Sequence, residues 1–258
     1  MFIPLVLVQL ALAQIGQDGA RPGWPCVPGR AIDPAYLEIS ESTGGQAFLL
    51  QKNEAVHTGV IVNLPVTHPE TLFRAVGHLA GTRTFEFPVD GSIESLSVTA
   101  SIQCRQTVAV IEPGGTEVTA ANAVQHIELQ AGKIVRVDGP GVGNWQVRIA
   151  GQGLFILSVR AKTSIRLSNV RFVEPGGQMV AAVLGPLSDA SFHVVAASGE
   201  TLSALPASPG EDGAYRLDFT PTAARFRIMV EGTDENGRPV RRMYPKLFRS
   251  TAPQPAHP

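Results

Sequence analysis

GKIVRVDGPGVGNWQVRIAGQGLFILSVRA, residues 132–161, is the stretch that decides the fold class of this chain. Trp145, Val147 and Ile149 alternate with Asn144, Gln146 and Arg148. One apolar and one wet face result, at the two-residue period of a β-strand. Phe155, Leu157 and Val159 repeat the alternation beyond Ala150-Gly151-Gln152-Gly153. That tetrapeptide reads as a turn, as does Asp138-Gly139-Pro140-Gly141, because Gly reaches positive φ without steric cost and Pro fixes φ. The product is a meander of half-buried antiparallel strands. Such a pattern specifies a β-sandwich and no reaction.

The same grammar extends on both sides. Phe85, Phe87 and Val89 share one face of a strand ending at Asp90-Gly91. Leu96, Val98, Ala100 and Ile102 alternate with Ser95, Ser97, Thr99 and Ser101, the cleanest two-residue period in the chain. Residues 107–111 read as a further strand, stopped by Glu112-Pro113-Gly114-Gly115, and residues 125–129 as another. About seven strands make one sandwich, over residues 69–163. Residues 164–249 read as a second, immunoglobulin-like sandwich without the paired Cys and core Trp of antibody domains. In it Tyr215, Leu217 and Phe219 face inward, as do Phe226, Ile228 and Val230, with Arg227 and Glu231 on the opposite face. Asn236-Gly237 is a hairpin signal. A hinge between the two sandwiches is expected at residues 163–168.

Ahead of the strands, Asp33 can cap and Pro34 can open a helix that Thr43-Gly44-Gly45 ends. A short strand at 46–50 and a second helix from Asn53 to residue 60 follow. The segment YLEISESTGGQAF, residues 36–48, resembles the closing helix–TGGQ–strand–helix of a von Willebrand factor A domain, here truncated to residues 33–68. The Asp-x-Ser-x-Ser metal loop of that domain is missing. Asp90-Gly91-Ser92 begins like it and reads instead as a hairpin turn. The order FEFPVD, serine-rich strand, VAVIEPGG and residues 132–161 resembles the β-sandwich that follows the A domain in hemicentin-like extracellular proteins and their bacterial exported relatives. The resemblance implies an extracellular or periplasmic, non-catalytic module.

Bulk properties narrow the function further. The chain has 258 residues and a net charge of -1, so nothing draws it to nucleic acid or anionic lipid. Residues 1–13, MFIPLVLVQLALA, are too short to span a bilayer and fit an export signal, with a buried strand as the alternative. No transmembrane segment is expected in the mature chain. Residues 14–32 read as a linker and 250–258 as a disordered tail. A Cys26–Cys104 disulfide suits a secreted or periplasmic protein, with two buried free thiols as the alternative. Neither cysteine nor any of the six histidines falls in a metal-ligand or catalytic spacing, and no phosphate loop or nucleophile elbow occurs. The expectation is no enzyme and no cofactor. Asp234-Glu235-Asn236-Gly237 reads as a polar hairpin tip rather than a calcium loop. Arg238, Arg241, Arg242, Lys246 and Arg249 make the C-terminal strand locally basic, and Arg238, Arg241, Arg242, Tyr244 and Lys246 form the candidate interaction surface there. That stretch is either an edge strand guarded by charge or a docking surface. The expected function is adhesion or cell-surface assembly through a protein partner. The alternative is a carbohydrate-binding or accessory module of a secreted hydrolase system, with Trp24 and Tyr244 as candidate platforms.

Overall fold

The structure, a computed structural model, describes residues 34–50, 52–57, 70–173, 178–218 and 223–249. Helix α1 (Pro34–Thr43) and a 3-10 turn at Lys52–His57 come first. Strands β1 (Glu70–Val89), β2 (Ile93–Ile111), β3 (Gln125–Leu129), β4 (Gly132–Asp138) and β5 (Gly143–Thr163) follow. Then come β6 (Arg166–Val173), β7 (Gln178–Leu184), β8 (Ser188–Val195), β9 (Thr201–Leu205), β10 (Ala207–Pro209), β11 (Ala214–Leu217), β12 (Arg225–Thr233), β13 (Pro239–Met243) and β14 (Phe248–Arg249). The expected signal, linker and tail, together with Cys26 and Trp24, lie outside the described residues.

Phe73 and Phe85 both sit on β1, an interval that spans about 40 Å in a straight strand. Their ring centroids are 5.4 Å apart, so the strand doubles over. Its neighbours double with it. β1 pairs with β5 from Glu70↔Ala161 to Val89↔Gly143, and β5 pairs with β2 from Ile93↔Thr163 to Ile111↔Gln146. The fold line crosses the Gly81↔Gly151 pair, with φ of 101° and 154°. A Cβ at Gly151 would stand 2.3 Å from the Cys104 carbonyl oxygen, so the bend admits only glycine there. β2 follows the bend through register shifts at Ile102/Cys104 and Arg105/Thr107.

This geometry corrects the expected turn at Ala150–Gly153. The glycines use their freedom to bend a strand whose ladder to β1 continues, so the Trp145 and Phe155 segments are one strand. Trp145 faces Phe87 and Phe155 faces Gly77. Residues 107–111 likewise continue β2. The two halves of the folded sheet close on one core, in which Trp145, Phe87, Phe155, Val147 and Leu157 are fully buried. Trp145 Nε1 donates to the Gly141 carbonyl at 2.7 Å, which satisfies the one polar atom of that ring.

The second core lies between the sheet β10-β11-β7-β6 and strands β12, β8 and β9, beside which β13 runs. Phe192, Val194, Phe226, Ile228 and Val230 face it. Val195, Met229 and Met243, from the same strands, belong to the first core. That layer is therefore buried on both sides, and β13 joins it to β1 in one continuous sheet. The chain is mainly β, with antiparallel sheets packed as sandwiches. The expected hinge is instead a buried connection. Ile165 is fully buried, its carbonyl accepts from Arg242 Nε at 2.8 Å, and the Leu167 amide donates to Glu70 at 3.2 Å.

The segment after α1 covers the serine face of the first sandwich. Ser95, Ser97, Thr99 and Ser101 are buried. Leu49 N donates to Ser101 Oγ at 3.2 Å, and Gln46 Nε2 to Ser158 Oγ at 3.3 Å. Phe48 and Leu50 pack on Leu129 and Ile134, and Ala47 on Val76 and Ile156. Of the strand expected at 46–50 only a bridge at Phe48 forms, because side-chain hydroxyls hold the segment in place of a ladder. The helix expected from Asn53 is a 3-10 turn whose Glu54 carboxylate accepts from the Gln130 amide at 2.5 Å.

α1 is locked by charge. Glu41 lies between two arginines, one from β1 and one from β12, and all three are buried. Arg74 Nε and Nη2 donate to Oε1 at 2.9 and 2.5 Å, and Arg227 Nη2 pairs with Oε2. Burial pushes the Arg74 guanidinium down to about 10 and that of Arg227 to about 9. Desolvation is thus the cost that Glu41 offsets.

Two outcomes follow. Trp145→Ala lowers stability by about 3–5 kcal/mol, read by chemical denaturation, and an unchanged midpoint would exclude Trp145 as a core anchor. Glu41→Ala strands two buried guanidinium groups and costs about 3–5 kcal/mol. A loss under about 1 kcal/mol would show that the pair is solvated in solution.

Candidate binding groove

The irregular part of β2 opens a groove on the outer face of the first sandwich. Arg105, Gln106, Thr107, Glu117, Glu128 and Arg148 line it. Arg105 keeps its ladder pair with Gly151 between the two register shifts of β2, and the flanking bulges bend the strand there. Glu117 comes from the loop after β2 and bridges back to Ile111. Glu128 lies on β3, and Arg148 on β5 opposite Ala109. Val147 and Ile149 are fully buried in the core, so alternation puts Arg148 outside.

Glu128 organises the charge. Arg105 Nη1 donates to its Oε2 at 2.6 Å, and Lys133 Nζ lies 3.0 Å from its Oε1. Lys133 is buried, donates to the Val108 carbonyl at 3.1 Å and lies 3.6 Å from Glu117. Burial alone would raise the Glu128 carboxyl. The hydrogen bonds and charges of Arg105 and Lys133 outweigh it and hold the group below the ordinary range. Two carboxylates that accept and cationic groups that donate, with no aromatic in the lining, suit a hydroxyl-rich ligand held by hydrogen bonds.

The residues singled out in the sequence lie elsewhere. Arg242 is fully buried and belongs to no surface. Its Nη2 donates to Thr163 Oγ1 at 2.9 Å and Ser92 Oγ at 3.1 Å. Its Nη1 lies 2.8 Å from Asp90 Oδ2, a contact outside hydrogen-bond geometry and so chiefly Coulombic. Arg241 donates to Glu231 at 2.8 Å and to the Glu86 carbonyl at 3.2 Å. Tyr244 is half-buried and stacks on Phe248 at 5.8 Å. Burial and the charge of Glu70 raise its hydroxyl. Arg238 and Lys246 alone of the five are exposed. Nor is β13 an edge, since it lies between β1 and β12. Asp90 closes the β1–β2 turn by accepting from Ser92 N at 3.1 Å, and Asp234 closes the β12–β13 turn by accepting from Asn236 N and Arg238 N. Cys104 is buried in β2 beside the fold line, and its candidate partner lies outside the described residues. Among the described residues no His, Cys, Asp and Glu group is placed to hold a metal ion, and no helix is long and apolar enough to cross a membrane.

Residues 70–164 match the family model described as hemicentin galactose-binding domain-like. The folded sheet and the whole groove fall inside that match, as a hemicentin-like β domain. No curated protein matches the chain at a significant level. Among solved structures it is similar to the propeptide form of a Bacillus licheniformis lipase at 12% identity and a TM-score of 0.39, covering 76% of this chain and 48% of that one. The chain thus spans about half the length of that lipase chain. A beta-1,2-glucanase from Parabacteroides distasonis is similar at 7% identity and a TM-score of 0.23, with 72% and 38% covered.

The depressed carboxyl of Glu128 gives a pH test. A carboxyl lowered by folding contributes stability above its unfolded pKa and loses it as pH falls through the folded value. An NMR titration of the Glu128 side chain should give a midpoint below that of a free glutamate, and Lys133→Ala should move it upward. A wild-type midpoint at or above the free value would rule out the described network.

Proposed function

We propose that this chain is an exported, non-catalytic binding module that attaches to an extracellular surface by holding a glycan in the β2 groove. The observation that carries the reading is the location of the groove. All of its lining lies between Arg105 and Arg148, inside the segment that resembles the hemicentin galactose-binding-like domain. The chemistry of the lining agrees, since paired acceptors and donors with planar polar ends match sugar hydroxyls. Adhesion or cell-surface assembly then follows from sugar binding and needs no enzymatic step. The N-terminal helix and its Thr43-Gly44-Gly45-Gln46 segment resemble the closing part of a von Willebrand factor A domain and serve here as a cover for the sandwich. A bridge from Cys104 to Cys26 would tie the 14–32 linker to the fold line, in keeping with an oxidising compartment.

A glycan array followed by calorimetry on the hits tests the reading. The wild type should bind a defined set of saccharides. Arg105→Ala and Glu128→Gln should each weaken that binding about tenfold or more, which is about 1.4 kcal/mol. The Arg105–Glu128 pair is partly solvated, and without the Glu128 charge Lys133 keeps the Val108 carbonyl and Glu117, so the folded state should lose no more than about 1 kcal/mol. An array without hits, alongside a protein partner whose affinity ignores both substitutions, would replace the glycan with a protein ligand.

A further inference from the structure

The charges in the groove do not balance, and the excess falls on one residue. Arg105 and Lys133 are matched by Glu128 and Glu117. Arg148 is exposed and forms no hydrogen bond or ion pair among the described residues. The acceptor nearest along the strand row is committed elsewhere. Glu86, opposite Gln146, accepts from Gln146 Nε2 at 3.0 Å and from Asn144 Nδ2 at 2.9 Å. Across the ladder Arg148 faces Ala109 on β2 and Thr84 on β1. Both are small, so the guanidinium has room to present its flat fork to a ligand.

From this arrangement, and resting on the glycan reading above, we infer that the groove selects a saccharide bearing a carboxylate, a uronic-acid unit, with Arg148 as its specificity-determining partner. A guanidinium matches a carboxylate with two parallel N–H···O bonds, a geometry that an ammonium cannot supply. The two glutamates set the limit on charge. A doubly charged phosphate beside Glu117 and Glu128 would meet two like charges, whereas a uronate brings a single charge together with hydroxyl groups that can donate to those carboxylates. The lining therefore fits one negative charge flanked by hydroxyl donors.

Calorimetry with an oligogalacturonate, its methyl ester and a neutral galactan oligosaccharide separates the possibilities. The ester keeps the hydroxyls and loses the charge. The wild type should bind the acid about tenfold or more tightly than the ester. Arg148→Gln should erase that difference, lowering affinity for the acid about tenfold more than affinity for the neutral oligosaccharide, with the melting temperature unchanged. Arg148→Lys should recover part of it. Equal affinity for acid and ester, or an Arg148→Gln variant that still prefers the acid, overturns the carboxylate and leaves the glycan reading standing. Tighter binding of a sulfated galactan than of the oligogalacturonate also overturns it, in favour of a sulfate. No affinity for any of these saccharides overturns this inference, and an array without hits overturns the glycan reading as well.

Discussion

Everything in the first sandwich depends on three long strands bending at the same place. A sheet can fold over only if each strand bends without losing its hydrogen-bonded neighbours. The chain meets that demand in two ways. β1 and β5 bend through glycines that face each other across the ladder, Gly81 and Gly151. β2, which has no glycine there, bends through two register shifts around Cys104 and Arg105. The choice is local in its steric cause. A side chain at Gly151 would strike the β2 backbone, and bulges accommodate a bend by displacing residues from the ladder. The groove is the by-product of that solution. The residues that drop out of the β2 ladder are Gln103 and Gln106, on either side of the paired Cys104 and Arg105, so the irregularity that closes the core also sets polar groups beside the bend.

The second constraint is electrostatic and joins the two cores. Glu41 holds arginines from β1 and β12, and Arg242 of β13 reaches Asp90, Ser92 and Thr163 of the first sandwich. Buried ion pairs of this kind add little net stability over a hydrophobic replacement, yet losing one partner is costly. Their effect here is to make the relative placement of the elements specific. α1 is held in this position because elsewhere two buried guanidinium groups lose their carboxylate counter-charge. The Gly44 backbone, at φ of 76°, lies against Pro245, and the Leu247 amide donates to the Glu41 carbonyl at 2.8 Å. The helix is therefore clasped from both sides.

Periodicity revealed which residues face a core and failed to reveal what covers the other face. Leu96, Val98, Ala100 and Ile102 point inward as their alternation requires, and the turns at Asp90-Gly91 and Asn236-Gly237 stand where their residues place them. The start of α1 at Pro34 was equally legible. The serine face of β2 was not, because small hydroxyls suit either water or a close-packed segment, and only the tertiary structure chooses. Arg227 and Arg242 misled for a related reason. A charged residue alternating with apolar ones reads as solvent-facing, and its counter-ion, Glu41 or Asp90, lies far away in sequence. Glycine was ambiguous in the same way. At Gly151 and Gly153 it bends a strand, at Gly237 it closes a hairpin, and the residue type is identical. The groove had no signature at all, since Arg105, Glu117, Glu128 and Arg148 come from separate elements with no fixed spacing.

The placement of the groove also bears on the chemistry of the proposed glycan site, which has no aromatic ring in its lining. The large rings of the first sandwich, Trp145, Phe87 and Phe155, are spent inside, where folding the sheet requires bulk to fill the space between its halves. A stacking platform on the outer face would need another ring beside the fold line, where the strands carry glycine and small residues so that the backbone can bend. What that region can carry is long, flexible, polar side chains that extend beyond the crowded backbone. Arg105, Arg148, Glu117 and Glu128 are such side chains. The steric rule that bends the sheet thus selects the chemistry of the site: recognition through hydrogen bonds and charge on the outside, because the aromatic surface has been committed to the core.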